Sequence, residues 1–355
     1  MKSILSILFL SITVVSLSQN NVCFTIEANP NSNDAALTGF TKYIKVLDCF
    51  EIYAESGLTD AQVLHAAAIA AELLDNDEDG IIDDATIYAQ LSSNQAMMPL
   101  FSVDGSSAEN TFNTNYSGSG VSAVLYSAEV DPGNPGFWGM DATVEEIMHT
   151  INSVGHVNAY PSAFSLSPNS SLMTTAMDTA RGGQYVTIPN PYPAAAWYHY
   201  NDQTCDYECM AIEYIYWSTV SNMGLLDDTG ICSGIANEWE PCTQPLFQST
   251  DVLMYNLITN AQYKIPQNAP DGNYCIITGV SDESNFTKTI NIFPNPSVDY
   301  LMVDRKDNQS VVKVFNFLGE LLIETTENSI STQHLPSGIY ILQTENETVR
   351  FEVTH

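Results

Sequence analysis

The sequence Thr-Ile-Asn-Ile-Phe-Pro-Asn-Pro at residues 289–296 joins an alternating apolar segment to a turn flanked by prolines. It opens a series of short segments that carry the aliphatic and aromatic residues of the C-terminal part: residues 289–293, 300–304, 311–317, 320–325, 339–344 and 349–353. Turn signals rich in Pro, Asn and Gly separate them: residues 294–296, 318–319 and 336–338. Regularly spaced short strands with such turns are typical of all-β sandwiches. The pattern therefore predicts a small antiparallel β-sandwich over residues 290–355.

Three motifs of this segment mark a family. Residues 292–296 read Ile-Phe-Pro-Asn-Pro, residues 314–319 contain Val-Phe-Asn followed by Leu-Gly, and residues 335–340 read Leu-Pro-Ser-Gly-Ile-Tyr. In this order they resemble the type A C-terminal sorting domain of type IX secretion, found on exports of the Bacteroidota. The resemblance implies recognition by the type IX secretion machinery, passage across the outer membrane, removal of this domain, and release or attachment at the cell surface. The last residues, 351–355, lack the basic residue common in the family, and an ordinary sandwich module with a binding role is the alternative.

Residues 1–19 have the pattern of a signal peptide. Lys2 provides a positive start, residues 4–15 form an apolar run, and residues 16–19 are small and polar. The apolar run is shorter than the ~20 residues that span a bilayer, which favours cleavage over anchoring. No later segment is apolar for long enough to span a membrane. We therefore expect export through the periplasm and an extracellular protein, secreted or at the cell surface, without a transmembrane segment.

Between the signal and the sandwich, the sequence predicts one globular domain over residues 20–280, with a polar linker at residues 281–289. Hydrophobic residues make up 45% of the chain, which is enough to bury a sizeable core. Helical patterns occur there among long Asn- and Ser-rich loops, without regular repetition. The expected fold class is a helix-rich α+β domain followed by a small antiparallel β-sandwich.

The chain is strongly acidic, with 10 Lys and Arg residues, 42 Asp and Glu residues and a formal charge of −32. A field of this sign repels phosphate backbones, which excludes nucleic acid as a partner, and it attracts cations. Divalent metal is therefore the first ligand to consider. Arg181 is the only Lys or Arg between Lys45 and Lys264. We expect it to pair with a buried carboxylate, with a clamp for a substrate carboxylate as the alternative.

The densest acidic stretch, residues 75–84, has the spacing of a calcium loop. Ca²⁺ takes six to eight oxygen ligands, and a glycine at position 6 permits the sharp turn around the ion; Gly80 stands at that position. The expected ligands are oxygen donors at alternate positions: Asp75, Asp77, Asp79, the carbonyl of Ile81, and Asp83. A helix over residues 63–74, begun by a capping box of Thr59 and Gln62, leads into the loop.

This loop resembles an EF-hand with one departure. Thr86 stands where the bidentate Glu is expected, so Asp83 or Asp84 must substitute, as in thrombospondin-type acidic repeats. Carboxylates this dense repel one another without a counter-ion. Because the motif occurs once, it predicts a structural calcium ion rather than a calcium switch; a solvated acidic helix terminus is the alternative.

A second candidate metal site lies on a helix predicted over residues 141–155. At about 100° per residue, four polar side chains fall on one stripe: Glu145, His149, Asn152 and His156. A carboxylate and an imidazole at i and i+4 can hold one metal. The sequence Glu-Glu-Ile-Met-His at residues 145–149 resembles the HExxH signature of zincin metallopeptidases with the first His replaced by Glu. The resemblance implies zinc or another divalent transition metal on Glu145 and His149, with Glu146 as the general base that activates water.

Glu213 is the first candidate for the third ligand. Its neighbours form an apolar, aromatic helix, where a carboxylate should be paired or metal-bound. His156 and His199 are the alternatives. A Glu ligand also shifts the preference of the site toward harder metals.

Two functions follow from these sites. The first is a secreted, degenerate zincin-like metallohydrolase with a calcium-stabilised domain, acting on peptide bonds. The second is a non-catalytic extracellular binding or adhesion protein stabilised by calcium, in which the helix residues form a structural polar network. Residues 197–202, dense in Trp and Tyr, fit either a groove for a peptide or glycan substrate or a loop packed on the domain.

Seven cysteines lie beyond the signal, which predicts up to three disulfides and one remaining thiol in an oxidising compartment. Cys232 and Cys242, which close a short loop, are the first pair to test. Cys205 and Cys209 are expected to form a disulfide rather than to bind metal.

Overall fold

The computed structural model describes residues 24–274, 290–305, 311–316, 320–344 and 348–355. The chain divides into two compact units, residues 1–277 and 278–355. Several predicted features lie outside the described residues: the signal peptide at 1–19, the linker at 281–289, the turn at 318–319, Cys23 and Cys275. Their boundaries and pairings stay predictions. No helix among the described residues is both long and apolar enough to cross a membrane.

The first unit contains a mixed sheet with the strand order β1-β2-β3-β4-β5. Its strands are β1 (Glu27–Ala28), β2 (Lys42–Val46), β3 (Phe50–Ala54), β4 (Met97–Phe101) and β5 (Leu125–Tyr126). The first three pair antiparallel, and β3, β4 and β5 pair parallel. One face packs on the helical core, and the other on an aromatic cluster that includes Phe40 and Phe112. The sheet is therefore buried on both faces, which explains its nearly continuous apolar strands.

Helices make up most of the rest of this unit: α1 (Asp60–Leu74), α2 (Ala85–Ser93), α3 (Ser107–Asn115), α4 (Thr143–Thr150), α5 (Val157–Ala159), α6 (Pro161–Phe164), α7 (Leu172–Ala180), α8 (Tyr207–Asn222), α9 (Thr229–Ile235), α10 (Gln244–Thr250) and α11 (Val252–Ile258). A 3₁₀ turn spans Ser127–Glu129, and a π-helix spans Ile151–His156. The predicted capping box of Thr59 and Gln62 is present at the start of α1. The expected helix-rich α+β domain is confirmed.

Two predicted disulfides are also confirmed. Cys205 bonds to Cys209 with their Cα atoms 5.3 Å apart, and Cys232 bonds to Cys242 with their Cα atoms 5.5 Å apart. Cys49 is a buried free thiol. These bonds tie down the start of α8 and the segment around α9.

The second unit is the expected antiparallel β-sandwich. Its strands are β6 (Ile290–Phe293), β7 (Tyr300–Arg305), β8 (Val312–Asn316), β9 (Leu321–Thr325), β10 (Ser329–Ser331), β11 (Gly338–Gln343) and β12 (Thr348–Val353). They form two sheets, with the orders β10-β7-β6 and β12-β11-β8-β9, and every strand pair is antiparallel. Leu301, Val314 and Phe351 lie in the shared core. Sequence reasoning missed β10, whose polar ends resemble a turn.

Candidate metal sites

The acidic loop brings three predicted carboxylates together. Ligand oxygens of Asp75, Asp77 and Asp79 all lie within 4.8 Å of one another. Asp75 is fully buried, whereas Asp77 and Asp79 are exposed. Hard cations such as Ca²⁺ bind clustered carboxylate oxygens, so the geometry fits the predicted ion. The carbonyl of Ile81 as a ligand stays a prediction.

Hydrogen bonds fold this loop around Asp75. Oδ1 of Asp75 accepts from the Asp79 amide at 3.1 Å, and Oδ2 accepts from the Gly80 amide at 2.8 Å. Oδ2 also accepts from the Tyr274 hydroxyl at 2.6 Å. Gly80 has a φ of +94°, which glycine adopts without steric cost. The turn is therefore held by backbone amides of the loop that donate to the Asp75 carboxylate.

Asp83 and Asp84, the two candidates to replace the missing bidentate Glu, differ in their contacts. Asp83 accepts from the Asn76 amide at 2.8 Å and lies 3.6 Å from Nζ of Lys264. Asp84 accepts from the first amides of α2 as its N-cap and from the Tyr160 hydroxyl. Both oxygens of each residue are therefore already engaged, and neither belongs to the group of oxygens that lie within 4.8 Å of one another, so the ligand that replaces the missing Glu stays a prediction.

The second cluster forms where α4 contacts α8. One ligand atom each from Glu145, His149 and Glu213 lies within 4.8 Å of the others. Nε2 of His149 is 3.6 Å from Oε2 of Glu213, and this buried nitrogen makes no hydrogen bond with any described residue. Two ligands of a tetrahedral ion with bonds of 2.0–2.1 Å would be about 3.3 Å apart. The spacing and the unpartnered nitrogen both fit a divalent cation, and Glu213 is the third ligand that the structure brings to the pair.

Glu146 lies on the other side of the imidazole. Its Oε2 is 3.5 Å from Nδ1 of His149, and its side chain is 26% exposed against 9% for the histidine. A carboxylate beside Nδ1 favours the tautomer that keeps Nε2 free for a metal. Glu146 is therefore placed to orient His149 and, through its exposed part, to meet water.

The electrostatics of this cluster favour a bound cation. Burial raises the pKa of Glu145 to about 7, with Glu213 and Glu146 adding to the rise and His149 opposing it. Burial alone would lower the pKa of His149, but the charges of Glu213 and Glu146 outweigh it and raise the pKa well above its ordinary value. Among the described residues, no Lys or Arg pairs with these glutamates. The raised pKa makes the protonated His149 imidazole the cation that faces Glu213 and Glu146, and a divalent ion would bind these carboxylates in exchange for that proton.

The helix that carries His149 does not continue as an α-helix. Residues Ile151–His156 form a π-helix, whose wider turn changes the direction of the side chains that follow. His156 is 2% exposed and lines a small cavity with Asp84 and Lys264. Burial lowers its pKa to about 4. The expectation of one α-helical stripe is therefore wrong at its C-terminal end, and His156 does not join the cluster.

His199, the other alternative third ligand, also lies elsewhere. Its Nε2 is 2.8 Å from the Ala196 carbonyl and 3.9 Å from Oε1 of Glu240. In the same segment, Trp197 donates from Nε1 to Asp251 at 2.9 Å, and Tyr198 is fully buried. Residues 197–202 therefore fit a loop packed on the domain better than a substrate groove.

The predicted ion pair of Arg181 is wrong for the described residues. Its guanidinium is fully buried and donates to the Tyr185 carbonyl at 2.6 Å. It lies 5.7 Å from the ring centroids of both Tyr185 and Tyr192. The two rings therefore stabilise the cation by cation–π contact in place of a carboxylate.

Asp141, predicted only as a helix start, anchors the loop before α4. Its Oδ1 accepts from the Asp131 amide at 3.1 Å and the Thr143 hydroxyl at 2.6 Å. Its Oδ2 accepts from the Gly136 amide at 2.8 Å and lies 3.0 Å from Nε2 of His65. Burial opposes the charge of Asp141, but these hydrogen bonds keep its pKa below the ordinary value. In the sequence, only its place at the start of the helix predicted over residues 141–155 marked it.

Comparison with known families identifies the C-terminal part. Residues 291–353 match the family described as the secretion system C-terminal sorting domain. The match confirms the resemblance predicted for residues 290–355, so the chain is a cargo of type IX secretion and a secreted or cell-surface protein. None of the proteins of curated function matches this chain.

Proposed function

We propose that the central domain of this secreted cargo is a metallohydrolase that cleaves peptide bonds. The observation that supports it is the convergence of Glu145, His149 and Glu213 around an unpartnered imidazole nitrogen. This ligand set suits zinc or another divalent transition metal, and its two carboxylates favour the harder members of that group.

The metal ligands, Glu146 and Tyr216 have separate roles in the proposed hydrolysis. A divalent metal held by Glu145, His149 and Glu213 would supply a Lewis acid that polarises the scissile carbonyl. Glu146 takes a proton from the attacking water as the water oxygen bonds to the carbonyl carbon. The same carboxyl group then gives the proton to the amide nitrogen as the C–N bond breaks. The Tyr216 ring packs edge-on against the His149 imidazole at 5.7 Å and keeps it in place.

Calcium is the second ion of the proposal, bound by the acidic loop. The clustered oxygens of Asp75, Asp77 and Asp79 support it. The loop follows directly after α1. The hydroxyl of Tyr274, the last described residue before the linker, donates to Asp75 of the loop. Its role is to stabilise the domain outside the cell.

The delivery route completes the proposal. The signal at residues 1–19 directs the chain to the periplasm, and the type IX secretion machinery recognises the sorting domain at residues 290–355. Removal of that domain then leaves the hydrolase free or attached to the surface. The confirmed sorting domain supports this route.

The test combines elemental analysis with one substitution. The purified protein should contain a transition metal in stoichiometric amount and hydrolyse casein or a peptide library. Glu146→Gln should keep the metal and lose about 10²–10⁴-fold in rate, because it removes the proton acceptor. Glu240→Gln is the matched control, since that carboxylate is 55% exposed and lies outside the cluster.

Other results assign other functions. Loss of metal in Glu146→Gln would make Glu146 a residue that orients His149 rather than the base. Bound metal without hydrolysis in the wild type would refute the enzyme and leave the non-catalytic binding or adhesion protein. Absence of any transition metal would refute the site itself.

A further inference from the structure

A cleft adjoins the cluster of Glu145, His149 and Glu213, which we call the Glu145 cluster. It has a volume of about 290 Å³ and is lined by residues of the 3₁₀ turn, the loop before α4 and the start of α4: Ala128, Glu129, Trp138, Gly139, Met140, Asp141, Ala142 and Glu145. Glu145 is thus both a wall of the cleft and a member of the metal-ligand group. We propose that this cleft, here called the Trp138 cleft, binds a large apolar side chain of the peptide substrate beside the bond that is cleaved. The inference rests on the proposed function and adds the class of substrate.

Hydrogen bonds of the protein itself hold the walls of the Trp138 cleft. Asp141, 4% exposed, accepts from backbone amides at both Asp131 and Gly136 and so fixes the loop between them. The Ala142 amide donates to the Glu129 carbonyl at 2.8 Å, which joins the two walls. A cleft held by such bonds loses little conformational entropy when a ligand enters.

The outer wall presents apolar surface to water. Trp138 is 36% exposed and Met140 is 49% exposed, although both belong to a loop that Asp141 holds in place. An aromatic ring and a thioether offer a broad, polarisable contact surface for another apolar group. The volume, just below the usual 300–1,000 Å³ of small-ligand pockets, suits one large side chain rather than a whole ligand.

The acidic lining of the cleft disfavours acidic side chains. Glu129, Asp141 and Glu145 line it, and no Lys or Arg does. The electrostatic field of a chain with a formal charge of −32 adds to this repulsion. A peptide with Phe next to the scissile bond should therefore bind more tightly than one with Asp there.

The experiment measures binding and cleavage separately. The probes are N-acetyl-Ala-X-Ala-amide peptides with X as Phe, Ala or Asp, titrated by calorimetry into the full-length zinc-loaded protein, with hydrolysis followed by mass spectrometry. We expect the Phe peptide to bind at least about tenfold more tightly than the Asp peptide. Met140→Asp should abolish this preference. Val103→Asp is the matched control, because Val103 is 59% exposed and lies outside the cleft.

Each result decides one of the two claims. The Trp138 cleft is supported if the protein prefers the Phe peptide, Met140→Asp removes this preference and Val103→Asp keeps it. This holds even if no peptide is cleaved; in that case only the hydrolase is refuted. Equal binding of the Phe and Asp peptides overturns the cleft, even where both are cleaved. A preference for Phe that survives Met140→Asp overturns it as well. Near-ultraviolet circular dichroism of each variant verifies that its fold is intact.

Discussion

The acidic loop and the Glu145 cluster hold similar ligands under opposite conditions. In the loop, Asp77 and Asp79 are exposed, and the buried Asp75 is satisfied by two amides and a tyrosine hydroxyl. In the cluster, burial raises the pKa of Glu145 to about 7, and Nε2 of His149 has no hydrogen-bond partner among the described residues. The buried carboxylate of the loop thus has hydrogen-bond donors of its own, whereas the buried imidazole nitrogen of the cluster has none among the described residues.

This difference predicts different roles for the two proposed ions. An ion in the acidic loop would add to hydrogen bonds that already exist, so its expected contribution is stability. An ion in the Glu145 cluster would neutralise carboxylates that pair with no Lys or Arg among the described residues, next to the partly exposed Glu146. Burial with incomplete satisfaction is typical of sites that perform chemistry, whereas the loop has the character of a structural element.

The largest effect should separate the two sites by their affinity for zinc. His149→Ala removes one of three ligands, and a third of the roughly 10–16 kcal/mol of a strong zinc site is worth about a thousandfold in affinity. Asp77→Ala should leave zinc affinity unchanged. Competition titration with a zinc chelator measures both variants. Equal losses in the two would show that the loop and the cluster are not distinct sites.

The next effect is a loss of stability at acidic pH, and it comes from His156. His156 ends the π-helix that follows α4, and it lines a small cavity together with Asp84, the N-cap of α2. Its pKa is lowered from 6.5 to about 4, so between these values the unfolded chain binds more protons than the folded one. Stability should therefore fall as the pH drops from 6.5 to 4, by roughly 3 kcal/mol from this residue.

His156→Gln tests this directly. Urea unfolding of the metal-free protein between pH 4 and 7 should show a shallower loss of stability toward acid in the variant than in the wild type. A parallel dependence in both proteins would mean that His156 is not held neutral by the fold.

The smallest of the three effects belongs to calcium. At a hundred times its dissociation constant, a ligand of the folded state adds about 2.7 kcal/mol, which is roughly 5–10 °C in Tm for a domain of this size. Adding calcium to the EDTA-treated, metal-free protein should raise the Tm by that amount, and Asp79→Asn should remove the response. Asp104→Asn, an exposed carboxylate outside the loop, is the control. A Tm independent of calcium in the wild type would make the loop a solvated helix terminus.

The sequence was informative wherever local chemistry determined the outcome. Alternation and proline turns predicted the β-sandwich, and the capping box of Thr59 predicted the start of α1. Glu213 could be identified because a carboxylate in an apolar helix is costly to bury unless it is paired or bound to a metal. Glu145 and His149 followed from the spacing of one helical turn.

Long-range packing determined the rest, and no local pattern carries it. The π-helix that turns His156 away from the stripe lies in a continuous helical segment, and this segment contains no Pro that would predict a change of helix geometry. Arg181 was expected to pair with a carboxylate, but two tyrosines of a later loop enclose it. The walls of the Trp138 cleft depend on the buried contact of Asp141 with His65, two residues far apart in the chain.

The position of Trp138 carries a consequence for timing. A methyl group added at Gly234 would lie 3.6 Å from its ring, so the outer wall rests against α9. That helix contains Cys232, which the bond to Cys242 tethers, and such bonds form after export rather than in the reducing cytosol. The disulfide that tethers the helix behind the outer wall of the proposed Trp138 cleft is therefore expected only after the chain has left the cytosol.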